Sequence, residues 1–179
     1  MKNLIWCIPF FLMACGGVVT PAENENIGFE GQDTIVDFEM NSERLSAVEF
    51  NDELSFMQEV TINQIFDLFN SDSANIDLNY ENTLFELDMH LQSLNEKKVP
   101  KQGEAYLTAM INLMNFYIED LKNNFPAMIE LIKKPVRKKI DTKKLEDYDM
   151  NFALKEKELF DSVVAAQDAF AKANNIKLM

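Results

Sequence analysis

From Ala47 to Ala173 the apolar residues recur every three or four positions in one stretch after another, and this spacing leaves room for little except packed helices. Asn41 or Ser42 suits the N-cap of the first stretch, whose seam runs through Ala47, Phe50, Leu54, Met57, Thr61, Ile65 and Leu68. Turn-forming residues at Asn70–Ser73 interrupt it. A second seam follows through Tyr80, Leu84, Leu87, Leu91 and Leu94, and Asn95–Gly103 reads as a loop. The third seam uses Met110, Leu113, Tyr117, Leu121, Phe125, Met128 and Ile132. Pro126 lies within it, where the missing N–H and the ring must kink the helix or end one segment of it. Asp141 or Thr142 suits the N-cap of the fourth, which runs through Leu145, Tyr148, Phe152, Leu159, Val163, Ala166, Phe170 and Ala173 and ends at Asn174–Asn175. Only five Gly and five Pro occur in 179 residues, too few for a fold that turns every ten residues. The expectation is an all-α fold, an antiparallel up-down four-helix bundle over residues 41–179.

The chain begins differently. Lys2 precedes an eleven-residue apolar run, Leu4–Ala14, which is too short for a spanning helix of roughly 20 residues. The run ends in Leu12–Met13–Ala14–Cys15, which resembles the lipobox of bacterial lipoproteins. The resemblance implies recognition of Leu12 and Ala14 by a signal peptidase, removal of residues 1–14 and acylation of the Cys15 thiol and amine. An ordinary secretory signal with an incidental Cys15 is the alternative. Residues 15–40 show no helical period and are rich in Gly, Asn, Glu and Asp, so they read as an acidic flexible tether, with the weakly alternating Asp33–Met40 as an extended arm. Gly16–Gly17 lacks the Asp that often retains lipoproteins at the inner membrane, which favours the outer membrane or the cell surface. Cys7 would leave with the signal and Cys15 would be acylated, so the mature chain has no thiol for catalysis, disulfides or metal binding.

Charge is sorted along the chain. Residues 15–96 hold 18 acids and one base, Arg44, whereas residues 97–179 hold 12 acids and 15 bases. This balance does not suit a nucleic-acid partner, which requires clustered Lys and Arg. The acidic half either lies against the basic half or presents a partner-binding face through Glu49, Asp52, Glu53 and Glu59, with Asp67, Glu81 and Glu86. Lys133–Lys144 holds seven bases and one acid. In an up-down bundle that loop shares an end with the first loop, near Asp72 and Asp77, opposite the tether. It is either a solvated turn neutralised by those acids or a polyanion site.

Chemistry finds little to stand on. His90 is the sole histidine and lies off the leucine seam, and there is no GxSxG for a serine nucleophile. Glu86 and His90 are four apart, not the three of a di-iron helix pair. Asn70–Glu81 has Asn, Asp and Glu at positions 1, 3 and 12 of a calcium-loop register, but Ala74 and Asn75 occupy positions 5 and 6, so an Asx turn is expected there. Glu156 falls on the fourth seam; it either stays at the edge or enters the core to meet polar partners such as Asn51 or Gln58.

Glu49–Phe50–Asn51–Asp52 with Gln58, Phe116–Tyr117, and Ala166–Asn175 together resemble a family of small helical surface lipoproteins of Gram-negative bacteria without an assigned activity. The basic stretch 133–144 stands outside that resemblance. It implies a helical fold and a lipid anchor, and it supplies no catalytic residues. The expected function is a non-enzymatic binding or interaction module of the cell envelope, with no cofactor. It would be held to the membrane by N-terminal acyl chains and would bind an unidentified protein or ligand. A small-ligand or metal-binding bundle, and an immunity-type lipoprotein that blocks a toxin, are the alternatives.

Overall fold

The computed structural model describes residues 34–178, with side chains from residue 46 onward. The expected signal segment, including Leu12, Ala14 and Cys15, lies outside the described residues, as does the expected tether up to residue 33. Five helices pack together: α1 (Thr34–Phe69), α2 (Ile76–Asn95), α3 (Glu104–Asn123), α4 (Phe125–Ile132) and α5 (Lys139–Ala173). There is no strand among the described residues. No described helix is long and apolar enough to cross a membrane.

Two helix boundaries differ from the sequence reading, and a third, the break expected at Pro126, is where α3 gives way to α4. Residues 34–40, assigned to the tether, belong to α1. Their short alternation of apolar and acidic residues also contains Ile35 and Phe38 three apart, and extending an existing helix costs far less than nucleating one. The third rod is two helices. At Pro126 the chain has no N–H to give, and α3 closes with the Asn124 N–H donating to the Asp120 carbonyl before α4 begins. The last helix opens at Lys139 rather than after a cap at Asp141 or Thr142: Lys138 is the extended N-cap residue, and the Asp141 carboxylate reaches back to its backbone N–H at 2.9 Å.

α3 is the central element. Tyr106, Leu107, Ala109, Met110, Leu113, Met114, Tyr117, Ile118 and Leu121 are all buried, a stripe wide enough to meet α1, α2, α4 and α5. Across α1 and α2, Glu53 meets Lys97, Thr61 meets His90 and Gln64 meets Glu86, so position along one helix rises as it falls along the other. The α3–α5 contacts run the same way, from Tyr106–Phe170 through Tyr117–Glu156 to Asp120–Tyr148.

Aromatic rings close both ends of the core. At one end Phe50 meets Phe170 edge-on at 5.3 Å and Tyr106 at 6.1 Å. Gly103 lies beneath that group, and a Cβ there would come within 3.2 Å of the Phe50 ring and 3.1 Å of the Pro100 carbonyl oxygen. At the other end Phe69 stacks on Phe125 at 5.1 Å and meets Phe152 edge-on at 4.8 Å, with Tyr148 and Tyr80 alongside.

Candidate functional site

The four acids singled out on the first helix, Glu49, Asp52, Glu53 and Glu59, are all exposed. Residues three and four apart share a helix face, so Asp52, Glu53 and Glu59 surround Phe56, which is 68% exposed. Sequence reasoning passed over Phe56. The signal was present: Leu54 and Gln58 face inward, so a residue two positions from each faces out. One acid is already engaged, since Glu53 pairs with Lys97 of the α2–α3 loop. An open cleft between α1 and α2 continues from this face, lined by Phe50, Met89, Glu49, Glu53 and Glu96 and by Lys97 and Lys98 of the following loop. Residues 46–96 carry eleven carboxylates and neither Lys nor Arg.

Part of this charge is balanced within the molecule. Besides Glu53–Lys97, Asp88 pairs with Lys122 of α3 at 3.2 Å, and Asp77 pairs with Lys133 just beyond α4. The last of these puts the basic segment beside the α1–α2 turn. In that turn the Asp72 carboxylate accepts from the backbone N–H groups of Ala74 and Asn75, both at 2.9 Å. These bonds hold its carboxyl below the usual carboxylate range, as expected of an Asx turn.

The polar residues Asn51, Gln58 and Glu156 are not brought to one place. Asn51 and Gln58 are buried on α1. Asn51 Oδ1 accepts from Gln167 Nε2 of α5 at 3.1 Å, and the same amide donates to Ser55 Oγ at 2.8 Å. Ser55 in turn lies 3.4 Å from the Tyr106 hydroxyl, and burial pushes that phenol up to about 12. Glu156 faces α3 instead, where its Oε1 accepts from the Tyr117 hydroxyl at 2.8 Å.

The Glu156 environment is the most perturbed electrostatically. Burial pushes its carboxyl above the usual range; the Tyr117 bond opposes this and the Asp149 charge adds to it. Tyr117 is raised well above an ordinary phenol by burial and by the Glu156 charge. Two helical turns along α5, Tyr148 donates to the Asp120 carboxylate and is raised by burial and by that bond. Asp149 is raised by burial, and its Oδ1 is buried without a hydrogen-bond partner. This group ties α5 to α3. The α1–α2 cleft is not lined by any of these residues.

His90 Nδ1 lies 3.1 Å from the Thr61 hydroxyl, and burial lowers the imidazole below its ordinary value, against the pull of Glu86. The ring therefore serves as a contact between α1 and α2. Among the described residues no group of three or more His, Cys, Asp or Glu is placed to hold a metal ion. No family model, curated protein or solved structure matches the chain.

Proposed function

We propose that this chain is a lipid-anchored protein of the bacterial cell envelope, at the outer membrane or the surface, that acts by binding a basic macromolecular partner and not by catalysis. The observation that carries the binding reading is Phe56. An exposed aromatic ringed by carboxylates has the composition of an interface anchor: a rigid apolar contact with charges around it that select the partner and speed encounter. The adjoining α1–α2 cleft, lined by Glu49, Glu53 and Glu96 together with Lys97 and Lys98, continues from the same surface with mixed charge. The anchor reading rests on Leu12, Ala14 and Cys15, and the resemblance to small helical surface lipoproteins agrees with it.

The scaffold in this reading is an antiparallel up-down four-helix bundle whose third rod is broken into α3 and α4. Support comes from the opposed sense of the α1–α2 and α3–α5 contacts. Such a bundle presents the α1 face as a stiff surface.

A photo-crosslinking side chain placed at Phe56 in the native host tests the binding reading. A discrete adduct is expected, and Glu49→Lys with Glu59→Lys should abolish it while leaving the Glu53–Lys97 pair in place. Crosslinks no different from those of the same probe at Leu154, exposed on α5, would refute it, as would a stoichiometric small molecule or metal retained in native mass spectrometry. Metabolic palmitate labelling tests the anchor separately: it should vanish in Cys15→Ser, and persistence would remove the lipoprotein assignment.

A further inference from the structure

The basic segment between α4 and α5 carries more than charge. Residues 133–140 are all exposed, and among them are two large apolar side chains, Val136 at 80% exposure and Ile140 at 60%. They are interleaved with Lys133, Lys134, Arg137, Lys138 and Lys139, and Lys143 and Lys144 follow in the first turns of α5. The cations fall into two groups. Lys133 pairs with Asp77, Lys134 with Asp141 at 3.0 Å and Lys143 with Asp147 at 3.0 Å. Arg137, Lys139 and Lys144 have no acidic partner among the described residues, and Lys138 makes no ion pair but lies close enough to Asp141 to help hold its carboxyl below the usual range. Arg137 makes one bond, donating to the Ile132 carbonyl at 2.9 Å, which folds its side chain back over the end of α4. Unpaired lysines alone are ordinary at a solvated turn; their combination with two large exposed apolar side chains is not. This one keeps three cations without an acidic partner and turns Val136 and Ile140 outward.

From this juxtaposition we propose that the 133–144 tip docks onto the surface of an anionic lipid bilayer, its uncommitted cations against headgroup phosphates and Val136 and Ile140 inserted among the acyl chains. Charge alone would suit any polyanion. The two exposed apolar side chains select the bilayer, because a soluble polyanion offers them no hydrocarbon to enter. The acidity of the rest of the molecule does not prevent this. At physiological ionic strength charges are screened beyond about 8 Å, so the acids of the distant Phe50 end have little effect at the tip. Asp77, Asp141 and Asp147 near it are already paired, and the exposed Glu130 and Glu146, which make no ion pair, flank the cations on either side. The tip lies at the end of the core opposite Phe50 and Gly103, with Phe69, Phe125 and Tyr148. It can therefore meet a bilayer independently of any attachment at the N-terminus.

The test is co-sedimentation of the full chain with vesicles of phosphatidylcholine alone or with three parts in ten phosphatidylglycerol, read as the ratio of the two partition coefficients. The N-terminal apolar run is common to every variant, so the ratio isolates the charge-dependent contact. The wild-type ratio should be tenfold or more. Lys138→Glu with Lys139→Glu and Lys144→Glu should bring it close to one, and the corresponding Lys→Arg variant should keep it. Val136→Ser with Ile140→Ser should lower it at least fivefold while leaving binding of soluble polyphosphate unchanged. A wild-type ratio near one, or a ratio indifferent to the glutamate variant, overturns the proposal. A ratio indifferent to the serine variant also overturns it, by showing a polyanion contact without insertion.

Discussion

Glu156 shows how a side chain can be conspicuous in the amino-acid order while its partner is not. Four positions after Phe152 and three before Leu159, it had to be either an edge residue or a polar residue in the seam, and it is half-buried with one hydrogen bond. The partner is Tyr117 and not Asn51 or Gln58, because α5 lies against α3 along this part of its length, and Asn51 is met a few turns further on by Gln167. Periodicity identifies the buried face of a helix; it does not say which neighbour that face meets. The energetics follow from burial. The folded-state carboxyl titrates above its unfolded value, so between those two values the folded protein binds more protons than the unfolded one, and stability falls as pH rises through that window. Glu156→Gln keeps an acceptor for Tyr117 and removes the charge. It should unfold at higher urea than the parent at pH 7 to 8, with the difference disappearing once the pH reaches the ordinary carboxylate range. Tyr117→Phe should act in the opposite direction and cost about 1–3 kcal/mol, because it strips a half-buried carboxylate of its donor.

At the scale of elements, the long periodic interiors were legible and the punctuation only in places. Pro126 announces the break between α3 and α4, and the Asn174–Asn175 pair announces the end of α5. There Asn175 takes a left-handed φ of 53°, and the Ile176 N–H closes on the Ala171 carbonyl at 2.8 Å. The start of α5 was not legible because Asp141 caps it from inside the helix, and a carboxylate can serve either as N-cap or as the residue reaching back from the first turn. The α2–α3 loop contains the second left-handed residue, Gln102 at φ 66°, a conformation that asparagine tolerates better than glutamine. Gln102→Gly should therefore stabilise the fold by about 1 kcal/mol, and Asn175→Ala should destabilise it by a similar amount. Both are read from chemical denaturation at neutral pH. Gly103, the next residue, tolerates no such exchange in reverse, since its space is filled by Val99, Pro100 and Phe50.

For the molecule as a whole, the sorting of charge along the chain becomes a sorting in space. From residue 46 to the end of α2 the chain holds acids and neither Lys nor Arg, and three lysines from the loops and α3 reach across to them, at Glu53, Asp88 and Asp77. Eight carboxylates of residues 46–96 have no ion pair among the described residues, Glu49 and Glu59 of the Phe56 face included. Of the two alternatives the sequence left, intramolecular balance is partial, and the unpaired remainder is exposed and available to the proposed partner. Residual repulsion between two neighbouring acidic helices opposes folding and is weakened by salt, whereas surface ion pairs of this exposure contribute little for salt to remove. Raising sodium chloride from low to physiological concentration should therefore raise the melting temperature, by a few degrees, instead of lowering it. Glu59→Gln should reproduce part of that gain at low salt and diminish the further effect of salt. A melting temperature that falls with salt would mean that the three lysine contacts outweigh the unpaired carboxylates, and the acidic face would then be an internally compensated surface with no charge left for a partner.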